Sequence, residues 1–252
     1  MNFSTIIGFF LAIGLIGVST VLSVDNPALL FNPLGLAIVF VGTIASTILS
    51  YSLSDVAHAA RVFLVFFRRE KLYLEHDLEE ASEIATKIRA GNIASLEEAA
   101  KQVSNPYLRY GLELIIDNKS SGEVAEIMAF QTERMAAREE READMFRSMG
   151  TFAPAFGMLG TLLGLINMLN GMTGDIAAIG TNLAVALMTT FYGLIAANII
   201  FLPLANQWEA RTAKRVQARS VLNETLMLLA NHTLPGRLRE QASHLKSEIP
   251  SM

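Results

Sequence analysis

Four uninterrupted apolar runs constrain this chain more than any other feature. Residues 6–24, 34–53, 149–172 and 183–205 contain no Asp, Glu, Lys, Arg or His. Each approaches or exceeds the roughly 20 residues that an α-helix needs to cross a hydrocarbon core of about 30 Å. A charge at the bilayer centre is costly, so runs that exclude charge mark spanning helices. The chain therefore reads as an all-α membrane protein with four transmembrane helices.

The connections orient these spans. Residues 25–33 and 173–182 carry no Lys or Arg, whereas all twenty basic residues lie in 55–148 or after Gln207. The positive-inside rule places both basic regions in the cytoplasm, both short loops outside and both termini in the cytoplasm. The first run lacks a basic n-region and a small-x-small cleavage site, so it is expected to be a retained span and not a signal peptide. Four parts follow: a first transmembrane hairpin (1–54), a helical cytoplasmic domain (55–148), a second hairpin (149–206) and a cytoplasmic tail (207–252).

The cytoplasmic region reads as helical. Residues 56–67 are expected to continue the second span, with Arg61, Arg68 and Arg69 as a snorkelling collar. Leu78, Ala81, Ala85 and Ile88 recur at helical spacing, and Gly91-Asn92 ends that helix. Ser95 with Glu98 has a capping-box pattern for the next helix, and Asn105-Pro106 restarts another. From Ser120-Ser121 a helix is expected to run without a breaker into the third span. Its charges Glu133, Arg138, Glu139, Arg141 and Glu142 fit a solvated face. After the fourth span, Trp208 marks an interface, Arg211, Lys214, Arg215 and Arg219 form a basic collar, and residues 221–229 continue as a helix. Pro235 precedes a short final helix.

Enzyme chemistry finds no support. The chain has no cysteine, so thiolate chemistry and disulfides are excluded. His58, His76, His232 and His244 lack metal-ligand spacing, and no cofactor or metal is expected. The net charge of −4, with bases interleaved among acids, argues against a nucleic-acid partner. Gly157, Gly160 and Gly164 follow no strand and carry no phosphate-loop Lys, so they are expected to permit close helix packing. A proton relay needs a titratable side chain, and the four spans supply none. If ions cross here, another subunit brings the carboxylate. The third and fourth spans do carry Thr151, Thr161, Thr189 and Thr190. Thr161 and Thr190 lie near mid-span, either as pathway hydroxyls or as ordinary hydrogen-bonding threonines. Pro154 and Pro203 are expected to kink those helices near their cytoplasmic ends.

These segments resemble a known family. The stretch Phe-Ala-Pro-Ala-Phe-Gly-Met-Leu-Gly-Thr-Leu-Leu-Gly-Leu at 152–165 is similar to the third-span signature of the MotA/PomA family of flagellar motor stator subunits. Val-Ala-Leu-Met-Thr-Thr-Phe-Tyr-Gly at 185–193 and Phe-Leu-Pro at 201–203 resemble its fourth span. Arg-Ala-Gly-Asn-Ile-Ala-Ser-Leu-Glu-Glu at 89–98 resembles its rotor-touching stretch. The likeness covers nearly the whole chain. It implies a homopentamer in the bacterial inner membrane, surrounding two copies of a MotB/PomB-type single-span subunit with a membrane Asp and a peptidoglycan-binding domain. Ion flow past that Asp turns the ring, and the cytoplasmic domain drives the rotor protein FliG.

Carried over residue by residue, Pro154 and Pro203 match the coupling prolines, and Arg89, Glu97 and Glu98 match the rotor-facing charges. Ala90 and Ala100 depart from charges found in some members, so the rotor contact is expected either to be less redundant here or to use Lys87 and Lys101 instead. Glu98 also stands where a capping partner of Ser95 would. Sodium-type members carry Thr at the Thr190 position, where proton-type members often have Ala, so Na⁺ is expected ahead of H⁺, with Thr161 and Thr190 on the ion pathway. Two other readings stay open: an ExbB/TolQ-type energiser, usually three spans, and a secondary transporter, which normally shows inverted repeats absent here.

Overall fold

A computed structural model describes residues 3–23, 30–66, 74–89, 93–171 and 176–231, and every regular element among them is helical. In chain order these are α1 (Phe3–Ser23), α2 (Pro33–Ser50), α3 (Leu53–Phe66), α4 (Leu74–Arg89), α5 (Ile93–Gln102), α6 (Pro106–Ile116), α7 (Ser121–Gly171) and α8 (Ile176–Ile195). A π-helical segment (Ala196–Phe201) then leads into α9 (Leu202–Ala230). By length and composition, three helical stretches can cross a membrane: Pro33–Ser50, Ser121–Asn170 and Ile179–Ala230. Phe10–Ser19 within α1 is a shorter apolar stretch. Gly91, Asn92, Phe67, Arg68, Arg69, His232, Pro235 and His244 lie outside the described residues.

The chain forms two compact units, one of residues 1–69 and 140–209 and one of 70–139 and 210–252. In the first, α2 packs on α8. Asn32 caps α2, accepting from the Gly35 amide at 2.9 Å, and Pro33 follows at the favoured first position. The Tyr192 hydroxyl of α8 accepts from the Asn32 amide (2.8 Å) and donates to the Leu30 carbonyl. Thr43 and Thr47, both buried, donate to the carbonyls of Val39 and Thr43 within their own helix. Such back-bonding removes the cost of an unpaired buried hydroxyl.

The second span does not continue into residues 56–67 as expected. Tyr51 is extended (φ −130°, ψ 158°) and ends α2. Ser52 then opens α3, its hydroxyl accepting from the Asp55 amide at 3.2 Å and donating to the Asp55 carboxylate at 2.6 Å. This local capping offers the backbone an alternative to continued helix, and apolar continuity does not override it.

The fourth run also differs from a simple proline kink. α8 starts at Ile176, ahead of the apolar run, and the chain passes through the π segment before Pro203. Pro203 has no N–H, and its ring collides with the carbonyl four residues back. A widened turn accommodates that: the Leu202 amide bonds to Ala197 O, five residues back, and Asn198 Nδ2 donates to Leu194 O at 3.0 Å. α7 runs 51 residues with Pro154 inside it. It opens with Ser120 and Glu123 in a reciprocal capping box. The Glu123 carboxyl is held below its usual range mainly by hydrogen bonds from Ser120.

The second unit packs α4, α5 and α6 with residues of α7 and α9. Leu108, Leu112, Met128, Leu222 and Leu226 are at most 2% exposed, and each such burial contributes about 1.5–3 kcal/mol. Gly111 lets α6 approach so closely that a Cβ there would meet Leu226 Cδ1 at 2.2 Å. Past α6, Asn118 takes a left-handed conformation (φ 61°), while Lys119 N bonds to Leu114 O and Asn118 N to Ile115 O. That is a Schellman ending with Asn in the position usually given to Gly.

Three sequence expectations are corrected in this unit. Ser95 is the third residue of α5, which begins at Ile93, so the expected Ser95–Glu98 capping box does not open the helix. The run from Glu133 to Glu142 is not simply a solvated face. Glu139 is 7% exposed and accepts from Thr212 at 2.7 Å and from Arg215. Arg219 is no collar residue either: its guanidinium lies 4.7 Å from the Tyr107 ring centroid. Burial first, then the neighbouring Arg215, lowers its pKa from the usual value.

Candidate functional site

The site begins with the close approach of α7 and α8, which glycines permit. A Cβ on Gly157 would stand 2.9 Å from the Thr189 carbonyl oxygen. On Gly160 it would stand 2.5 Å from Thr189 Cγ2, and on Gly164 2.8 Å from Ala186 Cβ. Gly193 on α8 answers from the other side, with Ala153 O at 2.6 Å and Pro154 Cα at 3.1 Å of the place its Cβ would occupy. Gly35 on α2 brings a third helix in, its missing Cβ falling 3.2 Å from the same Thr189 methyl. Thr189 is fully buried, its methyl between Gly35 and Gly160 and its hydroxyl donating to Ala186 O at 2.8 Å.

This approach brings Thr161 and Thr190 together. Their hydroxyl oxygens are 2.5 Å apart. Thr161 Oγ1 also lies 3.1 Å from Gly157 O and 2.9 Å from Ala186 O, and Thr190 Oγ1 lies 3.4 Å from Gly157 O. Two hydroxyls and two carbonyls thus converge on a half-buried point. Thr151, by contrast, donates to Arg147 O of its own helix. Oxygen groups of this kind suit hard monovalent or divalent cations or a hydrogen-bonded chain, and they carry no charge of their own.

Around the middle of α7, where its apolar run begins, sit further polar contacts. His58 Nε2 on α3 is 3.2 Å from Glu142 Oε1 on α7, and Glu142 is 8% exposed. Arg147 on α7 bridges Asp144 (2.9 Å) and Glu209 of α9 (2.5 Å). The Tyr51 hydroxyl meets Ser148 Oγ at 2.8 Å. Trp208 is buried. Apart from the i,i+3 pair Asp144–Arg147, these contacts have no sequence signature, because the partners are far apart in the chain.

In the second unit, Glu97 and Glu98 are exposed on α5. Arg89 is the last residue of α4, and its side chain falls outside the described residues. Asp77 of α4 is buried, and burial raises its pKa, offset in part by a hydrogen bond from Asn105. Among the described residues no group of three or more His, Asp or Glu side chains could hold a metal ion.

Comparison with known proteins places this geometry in context. Residues 99–220 match the model of the MotA/TolQ/ExbB proton channel family. The chain is 30% identical over 235 residues to Motility protein A of Cereibacter sphaeroides, covering 91% of this chain and 92% of that one. It is 27% identical to Motility protein A of Borreliella burgdorferi (96% and 92% covered) and 26% identical to Chemotaxis protein PomA of Vibrio alginolyticus (99% and 96% covered). It shares the fold of C. jejuni MotAB, with a TM-score of 0.88 at 24% identity over 99% of this chain and 98% of that one. The flagellar MotAB stator complex of Bacillus subtilis matches at a TM-score of 0.84 and 24% identity, covering 99% of both chains. With that identity carried across nine-tenths of both chains, the protein belongs to the MotA/PomA family of motility proteins, within the wider MotA/TolQ/ExbB group.

Proposed function

We propose that this chain is the ring-forming, ion-pathway subunit of a flagellar stator. It spans the bacterial inner membrane four times with both termini in the cytoplasm, and five copies surround two copies of a single-span partner of the MotB/PomB type. The partner supplies the membrane carboxylate that these helices lack. Ion passage beside it turns the ring, and α5 with Arg89, Glu97 and Glu98 pushes on the rotor protein FliG. The observation that carries the reading is the convergence of Thr161, Thr190, Gly157 O and Ala186 O in helices whose apolar runs hold no ionisable residue.

The coupling ion in this reading is sodium ahead of the proton. A sodium ion must replace its water with several oxygens, and hydroxyls beside a partner carboxylate offer them. A proton needs only the carboxylate and a water chain. The energy is adequate: each elementary charge falling through 100 mV releases about 2.3 kcal/mol. Pro154 and the π segment before Pro203 are the places where ion occupancy would alter helix geometry toward the cytoplasm, since both lack the normal helical bond. The test is ion flux in vesicles holding the chain with and without a single-span partner that carries a membrane Asp. Flux that needs the partner and is lost on Asp→Ala supports the assignment. Robust flux through the chain alone overturns it.

A further inference from the structure

We propose that Asp77 and Glu80 of α4 are positioning residues for the exposed acidic turn of α5, acting by clamping the joint Val103-Ser104-Asn105. The inference rests on the reading above, in which Glu97 and Glu98 meet the rotor. α5 has ten residues, fewer than the roughly 12–15 at which an isolated helix becomes even marginal in water, so its attitude is set by what holds its ends. Its C-terminal joint is held at nearly every polar group. Glu80 accepts from the Ser104 amide (3.2 and 3.3 Å) and hydroxyl (3.0 Å), with His76 3.2 Å from the same carboxylate. Asp77 accepts from Asn105 Nδ2 at 2.7 Å, and the Asn105 side-chain oxygen accepts from Tyr107 N at 2.9 Å. Arg109 donates to Val103 O at 2.6 Å, and Val103 itself is buried.

This arrangement exceeds what closing a short turn requires. One helix supplies two adjacent carboxylates to a three-residue link, and Asp77 is 8% exposed. Burying a carboxylate beside another acid costs stability, and an amide at position 77 could accept the same bond without that cost. What the pair does supply is direction: charge-assisted bonds are short and aimed, so they fix the link and with it the rotation of α5 about its axis. Glu97 and Glu98, a turn or more before the joint, are thereby presented at one angle.

The test uses the full chain with its single-span partner in motile cells and in vesicles. Rotor torque per stator is read from the height of each speed increment as units join a motor, and ion flux is read in the vesicles. Asp77→Ala with Glu80→Ala is expected to weaken binding of the purified rotor protein about tenfold, the effect of losing interactions of hydrogen-bond size, and to shrink each increment while flux stays unchanged. Asp77→Asn with Glu80→Gln keeps neutral acceptors without the charge assistance and is expected to recover part, not all, of the torque lost in the alanine variant. Glu80→Ala alone serves the same comparison if the double variant does not accumulate. A parallel fall of flux, assembly and torque would mean that the cluster only stabilises the unit, and unchanged increments would mean that it positions nothing; either overturns the proposal. Full torque in Glu97→Lys/Glu98→Lys removes the rotor reading itself, which separates that failure from failure of the clamp.

Discussion

Replacing Gly160 by Ala probes the helix approach on which the whole site depends. The new Cβ would lie 2.5, 2.6 and 2.7 Å from Thr189 Cγ2, Cβ and Oγ1, up to 0.9 Å inside the 3.4 Å where ordinary contact begins. Thr189 cannot turn away, because it is fully buried, β-branched and wedged against Gly35 from the other side. α7 and α8 must therefore separate by several tenths of an ångström. Overpacking of this kind costs about 1–3 kcal/mol, against a gain of about 0.5–1 kcal/mol for Ala over Gly in a helix. A net loss of about 1–2 kcal/mol is expected, a fall of several degrees in melting temperature for a chain of this size. Gly180→Ala is the control, since nothing lies within 4 Å of its Cβ position and it should gain only the helix-propensity term. The assay is thermal unfolding of the detergent-solubilised complex. Equal or higher melting temperatures for Gly160→Ala and Gly180→Ala would refute the packing argument.

Three further outcomes follow from other parts of the molecule. Asn118→Ala should destabilise the second unit by about 1 kcal/mol and Asn118→Gly should not, because a Cβ without Asn's polar end is penalised in the left-handed region; thermal unfolding reads this. Burial raises the Asp77 pKa, so between 3.8 and that raised value the native state keeps a proton the unfolded chain has lost, and stability falls as pH rises through the window. Asp77→Asn should therefore melt higher than wild type at pH 7, with the difference vanishing as pH falls below the ordinary carboxylate value. Reversing Glu97 and Glu98 together should reduce torque while leaving ion flux intact, with either single reversal mild because exposed charges contribute at most about 1 kcal/mol each.

Much of the architecture was readable because its causes are local. Charge-free runs name apolar helices, the lack of Pro from Glu123 to Ala153 carries α7 into its apolar run, and Asn105-Pro106 and Ser120-x-x-Glu123 are caps that act within one turn. The misreadings have local causes too, overlooked beside a stronger pattern. Ser52-x-x-Asp55 is a capping box inside an apolar stretch, and it splits α2 from α3. The turn before Pro203 widens into a π segment, an accommodation of the missing N–H that the residue types alone do not announce. What lay beyond the sequence depends on partners distant in the chain. Glu139 and Arg215 look like surface charges until α7 and α9 are seen to pair, Arg219 until α6 is seen to bring Tyr107 under it, and Thr161 reaches Thr190 only through the register that Gly157, Gly160 and Gly164 impose.

The central claim is that sodium passes the oxygen cluster around Thr161 and Thr190 and that this passage drives rotation. The most direct measurement is motor speed against external sodium, at fixed membrane potential and pH, in wild type and in Thr190→Ala. The account predicts that wild-type speed rises with sodium to saturation. Thr190→Ala should need several-fold more sodium for half-maximal speed, as expected for losing one ligand-sized interaction of about 1 kcal/mol. Wild-type speed indifferent to sodium, with full activity in Thr190→Ala, would contradict it and leave the proton as the driver.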